Sequence, residues 1–136
     1  MKTFTILKPD TVQAGNAGAI ISRLENEGFR IRAMKLLHLT EAQAQGFYYV
    51  HKERPFFPSL VKFMTEGPVI LMALEADNAI DKLRKVMGAT DPGKADPGTI
   101  RKQFGTNIER NAIHGSDGPE TAAFEIGYFF SQLEIA

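Results

Sequence analysis

The chain contains no cysteine. It therefore forms no disulfides, holds no metal through thiolates and offers no thiol nucleophile. Its longest apolar run, from Val69 to Leu74, is far shorter than the ~20 residues that span a bilayer. The first residues, Met1 to Leu7, are too short and too polar for a signal peptide. These absences predict a cytoplasmic protein that is not inserted in a membrane.

Neither sign of charge is in excess, because 16 lysines and arginines balance 16 aspartates and glutamates. A neutral molecule has no overall field that attracts nucleic acid or an acidic membrane surface, so we expect no specific nucleic-acid partner. An anionic ligand must then be held by a local cluster of cations. The length of 136 residues suits one domain with its own core. Since no repeat or second domain is visible, we expect a single domain spanning residues 1–136.

Apolar patterning predicts alternating strands and helices. The run at residues 69–74 does not alternate with polar residues, which is typical of a central strand covered on both faces. The predicted fold is α+β, a ferredoxin-like antiparallel four-stranded sheet with helices on one face. The predicted strands are residues 3–7, 31–39, 69–74 and 108–113, and the predicted helices are 17–27, 41–51, 59–66, 78–87 and 117–133.

Several residues predict where helices begin and end. Asn16, Thr40 and Asp77 are residue types that cap helix N-termini. Gly28 predicts a left-handed C-cap for the first long helix.

The segment at residues 111–118 (NAIHGSDG) carries the strongest chemical signal. Histidine is a nucleophile at neutral pH when one ring nitrogen keeps its lone pair and the other is fixed by a hydrogen bond. Gly115 admits a sharp turn and leaves room for an incoming phosphate. Asp117 and Glu120 have the spacing of a capping box, which predicts a helix directly after the histidine. A lone strand histidine is usually structural, so His114 taken alone leaves both interpretations open.

A second segment, residues 88–95 (GATDPGKA), has the glycine and lysine spacing of a phosphate-binding P-loop. It fails that comparison at Ala95, where a hydroxyl should reach magnesium. The segment also follows a predicted helix instead of a buried strand, and Pro92 removes a backbone donor. The three histidines of the chain lie in no metal-binding spacing, so we expect no metal held by the protein alone.

Four separated motifs resemble the nucleoside diphosphate kinase family and occur in the same order. They are FTILKPD at residues 4–10, RPFF at 54–57, GTIR at 98–101 and NAIHGSD at 111–117. The resemblance implies an enzyme that transfers the terminal phosphoryl group of a nucleoside triphosphate to a nucleoside diphosphate. It implies a ping-pong reaction through a phosphohistidine at His114, with ATP and other nucleoside di- and triphosphates as substrates. Mg²⁺ is expected to enter bound to the nucleotide phosphates.

The resemblance also assigns roles to single residues. It implies phosphate contacts for Lys8, Arg84, Thr90 and Arg101, sugar contacts for Lys8 and Asn111, base contacts for Phe56 and Ile108, and positions beside His114 for Tyr48, Ser116 and Glu125. Without it, Arg84 is typical of a solvated helix face and Tyr48 is equivalent to Tyr49. Glu125 lies about 12 Å along a helix from Asp117, so it reaches His114 only if the preceding strand folds back beside that helix.

Base recognition is expected to be broad. Stacking a base on an apolar surface contributes ~1–3 kcal/mol whichever base is present. If few hydrogen bonds reach the base edges, all common bases are accepted.

The resemblance implies a homo-oligomer, either a tetramer or a hexamer. The sequence does not choose between them, because many relatives have a longer segment after the position of Phe130, and in some of them that segment contributes to subunit contacts. Two other function classes were weighed. A regulatory ligand-binding domain often has a ferredoxin-like fold, but it leaves the combination of cations with His114 unexplained. A P-loop hydrolase requires the hydroxyl that Ala95 lacks.

Overall fold

Four strands form the centre of the protein in the computed structural model, which describes residues 1–136. The strands are β1 (Lys2–Leu7), β2 (Arg30–Leu37), β3 (Val69–Glu75) and β4 (Ile113–Gly115). Their order in the sheet is β2-β3-β1-β4, and every neighbouring pair is antiparallel. The predicted ferredoxin-like α+β fold is confirmed.

Seven α-helices connect and cover the strands. They are α1 (Pro9–Gln13), α2 (Ala17–Asn26), α3 (Glu41–Phe47), α4 (Phe57–Met64), α5 (Ala79–Met87), α6 (Ile100–Phe104) and α7 (Pro119–Phe129). Short 3₁₀ turns lie at Tyr49–His51, Pro92–Lys94 and Gln132–Glu134. We did not predict α1 and α6, because five residues are too few to show a helical repeat. None of the helices is both long and apolar enough to cross a bilayer.

Two predicted helix boundaries follow directly from their side chains. Gly28 adopts a left-handed conformation with φ of 97°, and the next amide, that of Phe29, donates to the carbonyl of Leu24 at 3.1 Å. This is the hydrogen bond of a glycine C-cap. Thr40 precedes α3, and its hydroxyl accepts a hydrogen bond from the Gln43 amide at 3.1 Å. Both caps are confirmed.

Two other predicted caps need correction. Asn16 stands at the N-cap of α2, but its side chain makes no capping hydrogen bond. The residue before α5 is Asn78 and not Asp77, and it has a left-handed φ of 52°. Asparagine is one of the few residues that tolerate this conformation, which explains why the chain turns one residue later than predicted.

The predicted strand at residues 108–113 is wrong. Pairing with β1 begins only at Ile113, which lies opposite Leu7. Upstream, the side chain of Asn107 accepts hydrogen bonds from the amides of Glu109 and Arg110, at 3.1 and 2.8 Å. These local bonds fold residues 107–110 into a turn and use amides that a strand would need for its ladder.

The last helix is shorter than the predicted span 117–133. It begins at Pro119 after Gly118, and the predicted pair of Asp117 and Glu120 does not form its cap. Instead, Thr121 accepts from the Gly118 amide at 3.0 Å and donates to Asp117 at 2.7 Å. The helix ends at Phe129.

Helices cover both faces of the sheet, so the expectation of helices on one face is wrong. Phe4 and Ile6 of β1 lie in a core cluster with residues of α3, α4 and α7. Leu7, on the opposite face of the same strand, lies in a second cluster with residues of α2 and α5. Successive side chains of a strand point to opposite faces. The apolar run at 69–74 is therefore explained by burial on both sides.

Candidate active site

A cleft of about 510 Å³ opens beside β4 and the N-terminus of α7. Every residue assigned to the site from the sequence lines this cleft except Ser116, which lies directly behind it. The lining residues named from the sequence are Lys8, Tyr48, Phe56, Arg84, Thr90, Arg101, Ile108, Asn111, His114 and Glu125. The chain segments that carry them are far apart in sequence, and the sheet brings them together.

His114 has one ring nitrogen fixed and the other free. Its Nε2 lies 2.9 Å from Oε1 of Glu125, and Ser116 donates to the same oxygen at 2.7 Å. A carboxylate accepts hydrogen bonds, so Nε2 carries the proton and Nδ1 keeps its lone pair. About 22% of the imidazole is exposed, which leaves it accessible from the cleft.

The backbone of β4 is fixed to β1, and this fixes His114. His114 lies opposite Ile6 in the sheet, and its carbonyl accepts a hydrogen bond from the hydroxyl of Thr5 at 2.6 Å. The Ser116 amide donates to the carbonyl of Phe4 at 3.1 Å. The chain then turns directly into α7, which runs back past the strand and brings Glu125 to the imidazole.

The residue two before the histidine has an unusual backbone. Ala112 has a φ of 75°, and the amide of Ile113 donates to the carbonyl of Asn111 at 2.9 Å, which makes a tight γ-turn. The side chains of Asp10 and Thr11 bind the amide and the carbonyl of Ala112 at 3.1 and 2.9 Å. A strained conformation persists where its surroundings fix it. We did not predict Asp10, although it closes the motif at residues 4–10.

Two buried cations of the cleft contact the same turn. Lys8 is 7% exposed and donates to the side-chain carbonyl of Asn111 at 2.8 Å. Arg101 donates to the carbonyls of Gly88 and Ile113 at 3.1 and 2.8 Å, and its Nε has no partner. Burial, with the nearby charge of Arg101, lowers the pKa of Lys8 to about 8.

The pKa of Arg101 is lowered in a similar way. Burial and then the charge of Arg84 lower the pKa of Arg101 to about 10, so it stays protonated at neutral pH. Arg84 itself makes no ion pair in the structure and lines the cleft. Cations that are buried or crowded without carboxylate partners are stabilised by an anionic ligand.

Asn111 organises the centre of the cleft. Its amide nitrogen donates to the carbonyls of Thr90 and Ile108, at 3.1 and 2.9 Å, while its oxygen accepts from Lys8. This one side chain therefore joins the loop after α5, the turn before β4 and the end of β1.

The outer end of the cleft is apolar and open. Phe56 is 48% exposed and Ile108 is 62% exposed, although both are large hydrophobic residues. Phe56 also contacts the ring of His51, with 5.5 Å between the ring centroids. Exposed apolar side chains that line a concave site are typical of ligand contacts.

Tyr48 presents a buried phenol without a partner. Its ring packs edge-on against Phe47 at 4.8 Å, and its hydroxyl makes no hydrogen bond. Burial, with the nearby charge of Glu125, raises the pKa of Tyr48, so the phenol stays protonated and remains a donor. Tyr49, which the sequence could not distinguish, lies on the surface against Phe124.

Gly115 has a packing role in addition to the roles predicted for it. A Cβ at this position would lie 2.7 Å from the sulfur of Met87 and 3.0 Å from Cδ2 of Leu83. The absence of a side chain therefore lets β4 pack closely against α5, apart from any room it leaves in the cleft.

The P-loop-like segment does not form a P-loop. Residues 88–95 follow α5, and Pro92–Lys94 form a 3₁₀ turn capped by Asp91. The segment lines a neighbouring cavity of about 460 Å³, which shares Arg84, Thr90 and Arg101 with the main cleft. No three carboxylate or histidine side chains converge on a common point for a metal.

An imidazole with one free nitrogen faces buried cations in a cleft of a ferredoxin-like fold, an arrangement suited to a protein that binds phosphorylated ligands. A family model described as nucleoside diphosphate kinase matches residues 1–135. A nucleoside diphosphate kinase of Trichlorobacter lovleyi is 59% identical over 134 residues, covering 98% of this chain and 97% of that protein. One of Geotalea daltonii is 58% identical, covering 98% of each.

Solved structures agree. The Aquifex aeolicus nucleoside diphosphate kinase superposes with a TM-score of 0.97 at 48% identity, covering 99% of this chain and 98% of the other. A halophilic nucleoside diphosphate kinase from Halobacterium salinarum, in complex with CDP, gives 0.96 at 40% identity, covering 100% and 91%. The chain belongs to the nucleoside diphosphate kinase family.

Proposed function

We propose that the protein is a nucleoside diphosphate kinase whose single domain, residues 1–136, transfers the terminal phosphoryl group by a ping-pong reaction through a phosphohistidine at His114. One observation carries the proposal. The bond between His114 Nε2 and Glu125 leaves Nδ1 free in a cleft that also holds Lys8, Arg84 and Arg101.

In the first half-reaction, Nδ1 of His114 attacks the terminal phosphorus of a nucleoside triphosphate. An N–P bond forms while the bond from phosphorus to the bridging oxygen breaks, and the nucleoside diphosphate leaves with the electron pair. The ring gains a positive charge when Nδ1 bonds to phosphorus, and the carboxylate of Glu125, which accepts the hydrogen bond of Nε2–H, stabilises that charge. In the second half-reaction, a terminal oxygen of another nucleoside diphosphate attacks the same phosphorus and frees Nδ1.

The charge of the moving group is absorbed by fixed donors. Phosphoryl transfer depends on alignment and electrostatic stabilisation more than on covalent assistance. The proposed phosphate contacts are Lys8, Arg84, Thr90 and Arg101. The Nε–H of Arg101 has no partner in the protein and can therefore donate to a phosphate oxygen. Mg²⁺ would enter with the nucleotide as part of the substrate and would offset part of the phosphate charge.

Four other roles belong to the proposal. Lys8 and Asn111 contact the sugar hydroxyls, and Phe56 and Ile108 hold the base between them. The free phenol of Tyr48 donates to an oxygen of the transferring phosphoryl group. Ser116 is a positioning residue that acts through Glu125, because it does not line the cleft.

Substrates and assembly complete the proposal. ATP and other nucleoside di- and triphosphates are the ligands, and the CDP complex of the halophilic relative supports this class. We expect a cytoplasmic homo-oligomer, a tetramer or a hexamer. Met34 and Leu36 support self-association, because they are 53% and 65% exposed on the edge strand β2.

Labelling by γ-³²P-ATP with magnesium tests the phosphohistidine. We expect label retained on the protein, stable in base and lost in acid, and released as labelled GTP when GDP is added. His114→Ala should abolish retention, whereas His38→Ala should not, since His38 lies outside the cleft and contacts the carbonyl of Thr65. Label retained by the His114 variant would refute the site. Nucleotide binding without any label would favour a regulatory domain.

A further inference from the structure

Glu109 is a cleft residue that neither the sequence nor the proposed reaction uses. It lines the cleft next to Ile108, at the apolar end where the base is proposed to bind. Its Oε2 accepts a hydrogen bond from the hydroxyl of Ser59 at 2.8 Å. No protein group donates to its other oxygen, Oε1.

The bond to Ser59 connects the two sides of the proposed base site. Phe56 is the N-cap residue of α4, and Ser59 lies in the first turn of that helix. Ile108 and Glu109 belong to the facing wall, the turn that precedes β4. The 2.8 Å contact therefore holds the carboxylate between the segments that carry the two residues proposed to stack on the base.

The carboxylate forms no salt bridge with a neighbouring cation. Arg110, the next residue, directs its guanidinium to Glu66 in two hydrogen bonds of 2.7 and 3.0 Å. The charge of Glu109 acts on Lys8 and Arg110 only from a distance. An anchored carboxylate with a free oxygen is a strong acceptor for paired N–H donors.

We infer that Glu109 recognises the base edge and favours guanine over other bases. Guanine alone among the common bases has two adjacent donors, N1–H and the N2 amino group, and these match the two oxygens of a carboxylate. Adenine and cytosine place an acceptor nitrogen beside their amino group, and uracil has a single N–H between two carbonyls. Hypoxanthine differs from guanine only by lacking the N2 amino group. The inference rests on the proposed base site between Phe56 and Ile108.

The test compares the binding of GDP and IDP by isothermal titration calorimetry, without any phosphoryl transfer. We expect GDP to bind the unaltered protein about fivefold to tenfold more tightly than IDP, as for a hydrogen bond to a charged group at a partly exposed site. Glu109→Gln should bring this ratio close to one, because its amide N–H₂ would oppose the guanine amino group. Ser59→Ala should give an intermediate ratio.

Glu25→Gln is the matched control, since Glu25 is an exposed carboxylate on α2, outside the cleft. It should keep the ratio of the unaltered protein. A ratio near one in the unaltered protein, or a ratio unchanged in Glu109→Gln, would overturn the inference. Either result leaves phosphohistidine labelling intact, whereas failure of labelling with a normal GDP preference would remove the proposed reaction and keep the base contact.

Discussion

Burial of the Lys8 charge should reduce the stability of the nucleotide-free protein, although the same charge is proposed to bind the nucleotide. It is 7% exposed, its amine donates only to the neutral side chain of Asn111, and Arg101 lies nearby. These surroundings lower its pKa from 10.5 to about 8. Lys8→Met, which keeps the length of the side chain and removes the charge, tests the consequence.

The direction in which stability changes with pH follows from proton binding. Between pH 8 and 10.5 the lysine of the unfolded chain still holds its proton, whereas the buried one has lost it. The unfolded state therefore binds more protons, and stability from this group rises with pH. Each pKa unit corresponds to about 1.4 kcal/mol, so the buried charge costs about 3 kcal/mol at pH 7. Roughly 2 kcal/mol of this cost should disappear by pH 9.5.

The assay is urea denaturation of the unaltered protein and of Lys8→Met at pH 7 and pH 9.5, at one protein concentration. The free energy of unfolding of the unaltered protein, minus that of the variant, should increase by about 2 kcal/mol between these pH values. Costs that do not depend on pH, such as the partner lost by Asn111, cancel in this comparison. Lys62→Met, at an exposed position of α4, is the control and should show no such change.

A difference that stays constant with pH would refute the reasoning, because it would mean that Lys8 is not destabilised by burial. The charge that destabilises the empty protein should strengthen nucleotide binding. Phosphate anions restore the charge of Lys8, so nucleotide binding near pH 8.5 should take up protons. Calorimetry in two buffers of different ionisation enthalpy measures that uptake, and Lys8→Met should abolish it.

Three further predictions concern other residues of the cleft and of β4. Glu125→Gln should slow phosphorylation by about tenfold to a hundredfold, measured by rapid quench, and Ser116→Ala should slow it less. For both variants we expect a reduced kcat with an unchanged KM. An unchanged kcat in Glu125→Gln would remove Glu125 from the mechanism. Phe56→Ala should raise KM for all nucleotides by a similar factor, equivalent to about 1–2 kcal/mol, and an effect confined to one base would contradict simple stacking. Gly115→Ala should destabilise the fold by about 1–3 kcal/mol, seen as a lower Tm. Its cost should be smaller when it is measured in a Met87→Ala background, because the side chain that the new Cβ meets is then shorter.

Much of the fold could be predicted because its signals are local. Gly28 ends α2 through its own left-handed backbone, and Thr40 caps α3 with its own hydroxyl. One error came from a local side-chain contact that the apolar pattern does not show, and another from the packing of helices on the sheet. The turn at residues 107–110 looked like a strand, yet Asn107 takes the amides that a ladder would use. Burial on both faces was predicted only for β3, from its unbroken apolar run.

The candidate site shows the same division. The segment around His114 was recognisable because its residues are consecutive. Glu125 could be proposed from resemblance, but its distance to the imidazole depends on α7 running back along β4. Asp10 and Glu109 were missed because their partners, Ala112 and Ser59, are far away in sequence.

The sequence by itself determined the residue types, the order of strands and helices, and the family to which the chain belongs. Only the tertiary structure decided which nitrogen of His114 is free, that the pKa of Lys8 is lowered, and that a side chain at position 115 would meet Met87 and Leu83. Those properties depend on distances between atoms that the chain brings together through the sheet. Hydrogen bonding, desolvation and steric contact act over a few ångströms, and a linear order of residues does not contain those distances.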